Sequence, residues 1–292
     1  MPVVVTGASG GVGRVLIPAL AGRGEVRAVV RSSRSAETLR ASGAKVAVCD
    51  LGETSALTTI MDGAHTVIHL AGGLDLPDDA AYETANLATA RDALEAAADA
   101  NAARFLFMSY PGASSSSGNA YLRAKGLAEE AVAASGLDHL ILRCTHVYGP
   151  GQAWFEEMRR SASRPLAATV IGSGQQRLAP VHVRDVVAGL VAADDRAEPV
   201  SGNFALQGPD VVTADEIVDL IAGRHRRKLH LGPDAARRAS SLLGRRLHPA
   251  LVEILAADSL ADAPDAAKEL SVSLTSLSDG LREALNGVRG GR

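Results

Sequence analysis

Short apolar runs alternate with amphipathic stretches along the first half of the chain. Runs of five to seven residues, rich in Val, Leu and Ile, have the length and composition of strands buried on both faces. They lie at residues 2–6, 25–30, 45–49, 65–70, 104–109 and 137–143. Helical periodicity is clearest at residues 11–21, 82–100 and 120–134. Repeated strand–helix units of this length predict a parallel sheet with right-handed crossovers and helices on both faces.

A glycine-rich turn, TGASGGVG, joins the first predicted strand to the first helix. Gly7 permits a tight turn, Gly10 lets the backbone approach a pyrophosphate, and Gly13 lets helix and sheet lie close together. The helix N-terminus then offers free N–H groups and a positive dipole end to phosphates. The pattern predicts a dinucleotide site whose first contacts are Gly7, Ser9, Gly10, Gly11, Val12 and Gly13.

The second half of the chain is less regular, with glycine-rich turns at residues 149–151 and 172–174 between short elements. We therefore predict an α/β fold: a Rossmann-like, doubly wound parallel sheet with a small, mostly helical C-terminal substrate lobe. The NAD(P)-binding domain is expected at residues 1–150. The lobe segments are expected at residues 151–292, with parts near 177–206 returning to the sheet.

The residues that follow the second and third strands indicate the cofactor. An acidic residue after the second strand would bind the adenosine ribose and favour NAD. This chain has Arg31 there, and Arg14 follows the glycines. Both can pair with a 2′-phosphate, so we expect NADP, as NADPH, with NAD less favoured.

Two further strand ends belong to the predicted cofactor site. Asp50 and Leu51 follow the third strand, where a carboxylate can meet the adenine amino group. Small residues follow the fourth strand and let the chain pass close to the cofactor: Ala71, Gly72 and Gly73.

Tyr121 and Lys125 lie four residues apart on a predicted helix, so both side chains share one face. A Lys ammonium near a phenol favours tyrosinate and lowers the phenol pKa toward the working range, as an acid–base pair requires. Lys125 could also hold the nicotinamide ribose, so both residues are expected to contact the cofactor. Ser109, at the end of the preceding strand, could polarise a substrate carbonyl. The alternative is one buried Tyr and one solvated Lys.

Composition narrows the range of partners. A net charge of −3 gives no overall attraction to nucleic acid or to an anionic membrane. The two cysteines, Cys49 and Cys144, are far apart in sequence, so we predict no metal site and expect a reducing cytoplasm. We expect neither a signal peptide nor a membrane span. The predicted protein is cytoplasmic, binds a small-molecule substrate, and is a monomer or homodimer.

These motifs resemble those of the short-chain dehydrogenase/reductase superfamily, in its extended or atypical branch. The matching segments come in the family's order: TGASGGVG at 6–13, CDL at 49–51, HLAG at 69–72, Asn86, FLFMS at 105–109, YLRAK at 121–125, LILRCTHVYGPG at 140–151 and VHVRDV at 181–186. The resemblance implies a cofactor at the carboxyl ends of the strands, a Ser/Tyr/Lys site and a substrate pocket capped by C-terminal segments.

Some features differ from those of the family's nucleotide-sugar epimerases and dehydratases. Only eleven residues separate Ser109 from Tyr121, fewer than those enzymes usually have. Arg177, the candidate for the phosphates of a sugar nucleotide, is displaced by one position relative to His182. The short loop and Arg31 look more like the atypical branch, which includes the accessory subunit of respiratory complex I, quinone reductases and NmrA-like proteins.

Three functions remain open at this point. The first is an NADPH-dependent oxidoreductase that reduces a carbonyl or quinone of a small molecule, with the proton from Tyr121. The second is an NAD(P)-dependent nucleotide-sugar epimerase or dehydratase. The third is a non-catalytic NADP-binding sensor or assembly factor, which the intact Tyr121 and Lys125 disfavour.

Overall fold

The computed structural model describes residues 1–198, 201–242 and 247–289. Its strands are β1 (Val3–Thr6), β2 (Val26–Val30), β3 (Lys45–Val48), β4 (Thr66–His69), β5 (Arg104–Ser109), β6 (Asp138–Cys144), β7 (Val147–Tyr148), β8 (Ala168–Ile171), β9 (Arg177–Leu178), β10 (Val181–His182), β11 (Gly202–Leu206), β12 (Val212–Thr213) and β13 (Lys228–Leu231).

The helices are α1 (Gly11–Ala21), α2 (Ala36–Ala41), α3 (Thr54–Met61), α4 (Asp79–Glu83), α5 (Thr89–Asp99), α6 (Ala120–Ala133), α7 (Ala153–Ala162), α8 (Val183–Asp195), α9 (Ala214–Ala222), α10 (Pro233–Leu242), α11 (Pro249–Ala256), α12 (Ala266–Glu269) and α13 (Leu277–Arg289). No helix in the part of the chain that the structure describes is long and apolar enough to cross a membrane.

Seven strands form one sheet in the order β11-β6-β5-β4-β1-β2-β3, and every neighbouring pair is parallel. The predicted doubly wound, Rossmann-like sheet is therefore confirmed. The chain order reverses between β1 and β4, and ligands of such sheets bind at the carboxyl ends of the strands beside this reversal.

Alternate residues of the central strands enter two separate cores. Val3 and Val5 of β1 join the core that contains α1 and α8, whereas Val4 joins the core that contains α3, α5 and α6. Both faces of the sheet are thus covered, which is why the strands read as continuous apolar runs.

A third core lies within the C-terminal lobe, which we define as the elements around Phe155, Ile217 and Leu281. These residues belong to α7, α9 and α13. Three two-stranded pairs, β7–β10, β8–β13 and β9–β12, add short ladders to the lobe.

The helix predicted at residues 82–100 is interrupted in the structure. A π-helical turn, Thr84–Ala88, joins α4 to α5 and carries the buried Asn86. The wider turn coincides with hydrogen bonds from Asn86 Nδ2 to the carbonyl oxygens of Tyr82 (3.1 Å) and Gly73 (2.9 Å). Such turns occur frequently at functional sites.

A buried ion-pair network fastens α6 to the sheet. Arg143 of β6 donates to both carboxylate oxygens of Glu129, at 3.0 and 2.6 Å, and to Asp262 at 2.9 Å. Asn203 of β11 also donates to Glu129, at 3.3 Å. Glu129 is 5% exposed, so removal of its charge would leave the largely buried Arg143 with only Asp262 and the carbonyl oxygen of Ala113 as partners.

Replacement Glu129→Ala is therefore expected to lower the free energy of unfolding by about 3 kcal/mol, as is typical when one partner of a buried pair is removed. Urea denaturation would measure the change. The matched control is Glu130→Ala, because Glu130 is the neighbouring exposed residue of α6 and should change stability by less than about 0.5 kcal/mol. Equal losses of unfolding free energy in both variants would contradict a stabilising role for the ion-pair network.

Candidate active site

The turn after β1 forms a cradle that has no room for side chains. Gly7 has a φ of +68°, and a Cβ built on it would lie 2.6 Å from the backbone nitrogen of Ala71. A Cβ on Gly13 would lie 2.5 Å from the carbonyl oxygen of Ala8. Gly7 is thus needed both for its backbone conformation and because the chain leaving β4 passes directly against it.

The N-terminus of α1 faces this cradle without a side-chain cap. Gly10 is its N-cap residue, and no acidic residue lies in the first turn. Ser9 precedes the cap, Gly11 begins the helix, and the buried Val12 anchors the first turn in the core. The N–H groups of the first turn and the helix dipole are therefore available to an anion.

Asn86 holds the chain after β4 beside the cradle. Its Oδ1 accepts a hydrogen bond from the backbone N–H of Gly73 at 3.1 Å, and its Nδ2 donates to the carbonyl oxygen of Gly73. Gly72 has a φ of +152°, and a Cβ there would lie 2.7 Å from the Oδ1 of Asn86. Ala71, the first of the three predicted small residues, thus lies against the glycine turn, and Gly72 and Gly73 lie against Asn86.

The residues predicted to contact the adenosine half follow the adjacent strands. Arg31 comes directly after β2 and is exposed. Arg14, also exposed, donates from Nε to the carbonyl oxygen of Ser9 at 2.9 Å. Asp50 follows β3 and accepts a hydrogen bond from the N–H of Gly52 at 3.0 Å, and the neighbouring Leu51 is buried. Parallel pairing of β1, β2 and β3 places these residues at one edge of the sheet.

Tyr121, Lys125 and Ser109 converge where β5 ends against α6. The Nζ of Lys125 donates to the carbonyl oxygen of Met108 at 2.9 Å, and Met108 precedes Ser109. The same Nζ lies 3.5 Å from the position that a Cβ on Gly72 would take. The hydroxyl of Ser109 is buried and has no hydrogen-bond partner among the described residues. Lys125 and Ser109 thus lie at the end of β5 beside the chain that leaves β4, and Tyr121 packs on Tyr110, the residue that follows Ser109.

Burial sets the electrostatics of this pair. Burial raises the pKa of the Tyr121 phenol well above its ordinary value, and Tyr110, Cys144 and Tyr82 raise it further. Burial also lowers the pKa of Lys125 to about 8, although Glu129 opposes this shift. The expectation that Lys125 lowers the pKa of Tyr121 is therefore wrong for this structure. Exclusion of water disfavours the charged form of each group, and Lys125 is not among the groups that shift the pKa of the phenol.

An apolar cluster covers the phenol of Tyr121. Its ring makes edge contacts with Tyr82 and Tyr110, at centroid distances of 6.2 and 5.8 Å. Helix α11 adds Ala250 and Ile254 to the same cluster. Leucine side chains complete its rim: Leu74, Leu76 and Leu122. The surroundings of Tyr121 are therefore suited to an apolar molecule.

Sequence reasoning missed three residues that shape this site. Tyr110 donates from its hydroxyl to Ser259 at 2.9 Å and packs on Tyr121. A Cβ on Gly126 would clash with the backbone of Ser114, so this glycine lets the serine-rich loop lie directly on α6. A glycine inside a helical pattern was an available signal for such an approach. No local signal marked Gln152, whose side chain lies over Gly11.

The glycine cradle and the uncapped helix N-terminus fit a dinucleotide, because together they accommodate a pyrophosphate. A family model described as NAD(P)H-binding matches residues 7–155. The chain belongs to this NAD(P)H-binding family.

Two curated relatives support this assignment. The ceramide reductase of Caulobacter vibrioides (strain NA1000 / CB15N) is 36% identical over 191 residues, which cover 65% of this chain and 60% of that protein. The mitochondrial NADH dehydrogenase [ubiquinone] 1 alpha subcomplex subunit 9 of Arabidopsis thaliana is 32% identical over 235 residues, 74% of this chain and 56% of that protein. The chain thus spans less than two thirds of the length of either relative.

Solved structures share the fold. MoeE5 in complex with UDP-glucuronic acid and NAD has a TM-score of 0.80 and 22% sequence identity, and the match covers 100% of both chains. The family model confirms the NAD(P)-binding assignment within the predicted resemblance, and the solved structure shows the shared fold.

The lowered pKa of Lys125 predicts a pH-dependent stability. Between about pH 8 and its ordinary value of 10.5, the folded protein has released the Lys125 proton while the unfolded chain retains it, so this residue makes stability rise with pH. Lys125→Met should therefore raise the unfolding free energy relative to wild type most strongly at pH 7. The difference in unfolding free energy between Lys125→Met and wild type should shrink by up to about 3 kcal/mol by pH 10.5.

Urea unfolding of the wild type and the variant between pH 7 and 10.5 would measure this difference. Lys268→Met replaces an exposed lysine of α12 and should give no comparable pH-dependent difference. A Lys125→Met difference that stays constant with pH would contradict the shift.

Proposed function

We propose that this protein is an NADPH-dependent reductase that converts a carbonyl or quinone group of an apolar small molecule into the corresponding hydroxyl compound. The observation that carries the proposal is the convergence of Tyr121, Lys125 and Ser109 at the end of β5, under an apolar cover and beside the glycine cradle. The name of the Caulobacter relative, a ceramide reductase, supports both a reduction and an apolar substrate.

In this proposal, different residues at the carboxyl edge of the sheet bind different parts of the cofactor. The residues from Gly7 to Gly13, Ser9 included, hold the pyrophosphate. Asp50 and Leu51 meet the adenine, and Arg14 and Arg31 meet the 2′-phosphate that distinguishes NADP from NAD. Ala71 to Gly73, Tyr121 and Lys125 border the nicotinamide ribose. When bound, NADPH supplies a hydride to the substrate carbon.

Tyr121 holds the proton that the reduction needs. Because burial raises its pKa, the phenol stays protonated at neutral pH and can donate to the substrate oxygen as that oxygen gains negative charge. The ammonium of Lys125, fixed by the carbonyl oxygen of Met108, holds the nicotinamide ribose beside the phenol in this proposal. One hydride and one proton together complete a two-electron reduction.

Ser109 orients the substrate. Its buried hydroxyl has no hydrogen-bond partner among the described residues, so it can donate to a carbonyl oxygen without breaking an existing bond. The side chains of Tyr82, Tyr110 and α11 exclude water around that oxygen, which strengthens both hydrogen bonds.

The observations favour this function over the alternatives. A nucleotide-sugar enzyme would use Arg177 on phosphates, but here its guanidinium pairs with Asp258 at 2.8 Å. A non-catalytic sensor would have no use for an unpartnered serine hydroxyl beside a buried Tyr/Lys pair.

Tyr121→Phe is expected to lower kcat by about 100-fold or more, because the acid is lost, while NADPH binding is retained. Rates of NADPH oxidation against a panel of quinones and long-chain ketones would measure this. The control Tyr148→Phe removes a buried phenol from the lobe core and should leave the rate near wild type. A Tyr121→Phe enzyme with wild-type turnover would exclude Tyr121 as the acid.

Arg31→Ala is expected to raise the Kd of NADPH about tenfold or more and to leave the Kd of NADH nearly unchanged, because only NADPH carries the 2′-phosphate. Isothermal titration with both cofactors would measure the ratio. Arg40→Ala, an exposed arginine of α2, serves as the charge-matched control. An equal rise in Kd for NADPH and NADH would show that Arg31 does not distinguish the two cofactors.

A further inference from the structure

The side-chain amide of Gln152 lies on the first residue of α1. A Cβ built on Gly11 would lie 2.5 Å from the Oε1 of Gln152 and 3.0 Å from its Nε2. Gln152 is 5% exposed, and its Nε2 has no hydrogen-bond partner among the described residues. A buried, unpaired amide is destabilising, so its retention at the phosphate cradle needs an explanation.

Two helix N-termini meet at this contact. Gly11 begins α1, and Gln152 is the N-cap residue of α7. Neither helix has a side-chain cap: the N-cap residue of α1 is Gly10, and the side chain of Gln152 lies against Gly11 and makes no capping hydrogen bond to α7. The acidic residue in the first turn of α7, Glu156, is engaged by Arg159 at 2.7 Å. The uncapped N-terminal residues of both helices therefore lie near this contact.

We infer that Gln152 is a cofactor-binding residue whose Nε2 donates a hydrogen bond to the pyrophosphate held at Gly10 and Gly11. The inference rests on the proposed cofactor binding. An amide suits this position because it donates to an anion without burying a second charge. Oε1 and Nε2 are both close to Gly11, so a rotation of the amide brings the donor to the anion with little movement of the chain.

The contact also ties the C-terminal lobe to the cofactor. Phe155 anchors α7 in the lobe core, only three residues beyond Gln152. Trp154, which lies between them in the sequence, stacks on His146 at a centroid distance of 4.7 Å. Trp154 is the only tryptophan of the chain, so its fluorescence reports on α7 when a dinucleotide binds.

The experiment compares wild type with Gln152→Met, which keeps the shape of the side chain but removes the donor. Isothermal titration gives the Kd of NADPH, NADH and 2′-AMP, the last of which keeps the 2′-phosphate but has no phosphate at the 5′ position. We expect NADPH and NADH to bind about tenfold more weakly to the variant, and 2′-AMP to bind with unchanged affinity. The control Gln175→Met alters an exposed glutamine of the lobe and should leave all three Kd values unchanged.

Thermal melting without ligand separates binding from folding. Because the amide nitrogen has no partner, Gln152→Met should melt at or above the wild-type temperature. If the variant melts much lower, Gln152→Glu provides the second test. Its carboxylate would repel the pyrophosphate, so NADPH should bind more weakly than to wild type by more than tenfold, which is about 1.4 kcal/mol.

The possible outcomes distinguish the inference from the proposed function. Wild-type affinity for NADPH in Gln152→Met or Gln152→Glu overturns the inference alone. An equal loss of affinity for NADPH and 2′-AMP also overturns it, because the effect would then act through the fold rather than through the pyrophosphate. A wild-type protein that binds no dinucleotide overturns the proposed function, and the inference with it.

Discussion

The turn after β1 and the chain that leaves β4 touch backbone to backbone at Gly7. No side chain fits there, since a Cβ would lie 2.6 Å from the nitrogen of Ala71. This contact brings the phosphate cradle and the residues after β4 to one place. Asn86 holds the second of these segments in position, and the π-helical turn that carries Asn86 interrupts an otherwise regular helix. The geometry of the candidate site follows from this approach.

Exclusion of water is the second physical condition of the site. Tyr121 and Lys125 are both nearly inaccessible, so burial raises the pKa of the phenol and lowers that of the ammonium. A protonated phenol beside a lysine that is still charged at neutral pH is a suitable starting state for proton donation. The lysine is oriented by the carbonyl oxygen of Met108 rather than by Tyr121, so the sheet itself positions the cation.

The C-terminal lobe reaches the site through a small number of defined contacts. Asp262 joins the buried network of Arg143 and Glu129, which fastens the helix that carries Tyr121. Gln152 touches the start of α1, and α11 covers the phenol. Since these contacts come from distant parts of the chain, displacement of the lobe would alter cofactor contact, helix position and substrate cover together.

The sequence alone determined the parallel sheet, the glycine cradle and the Tyr121–Lys125 face, because hydrophobic periodicity, glycine spacing and the four-residue helical repeat are local properties. Tertiary structure alone decided the pKa of Tyr121, since desolvation depends on neighbours such as Tyr82 and Tyr110 that no local pattern places. It also decided the contact of Gln152 with Gly11, because residues 141 positions apart meet only after the sheet has formed and α7 has packed on the lobe.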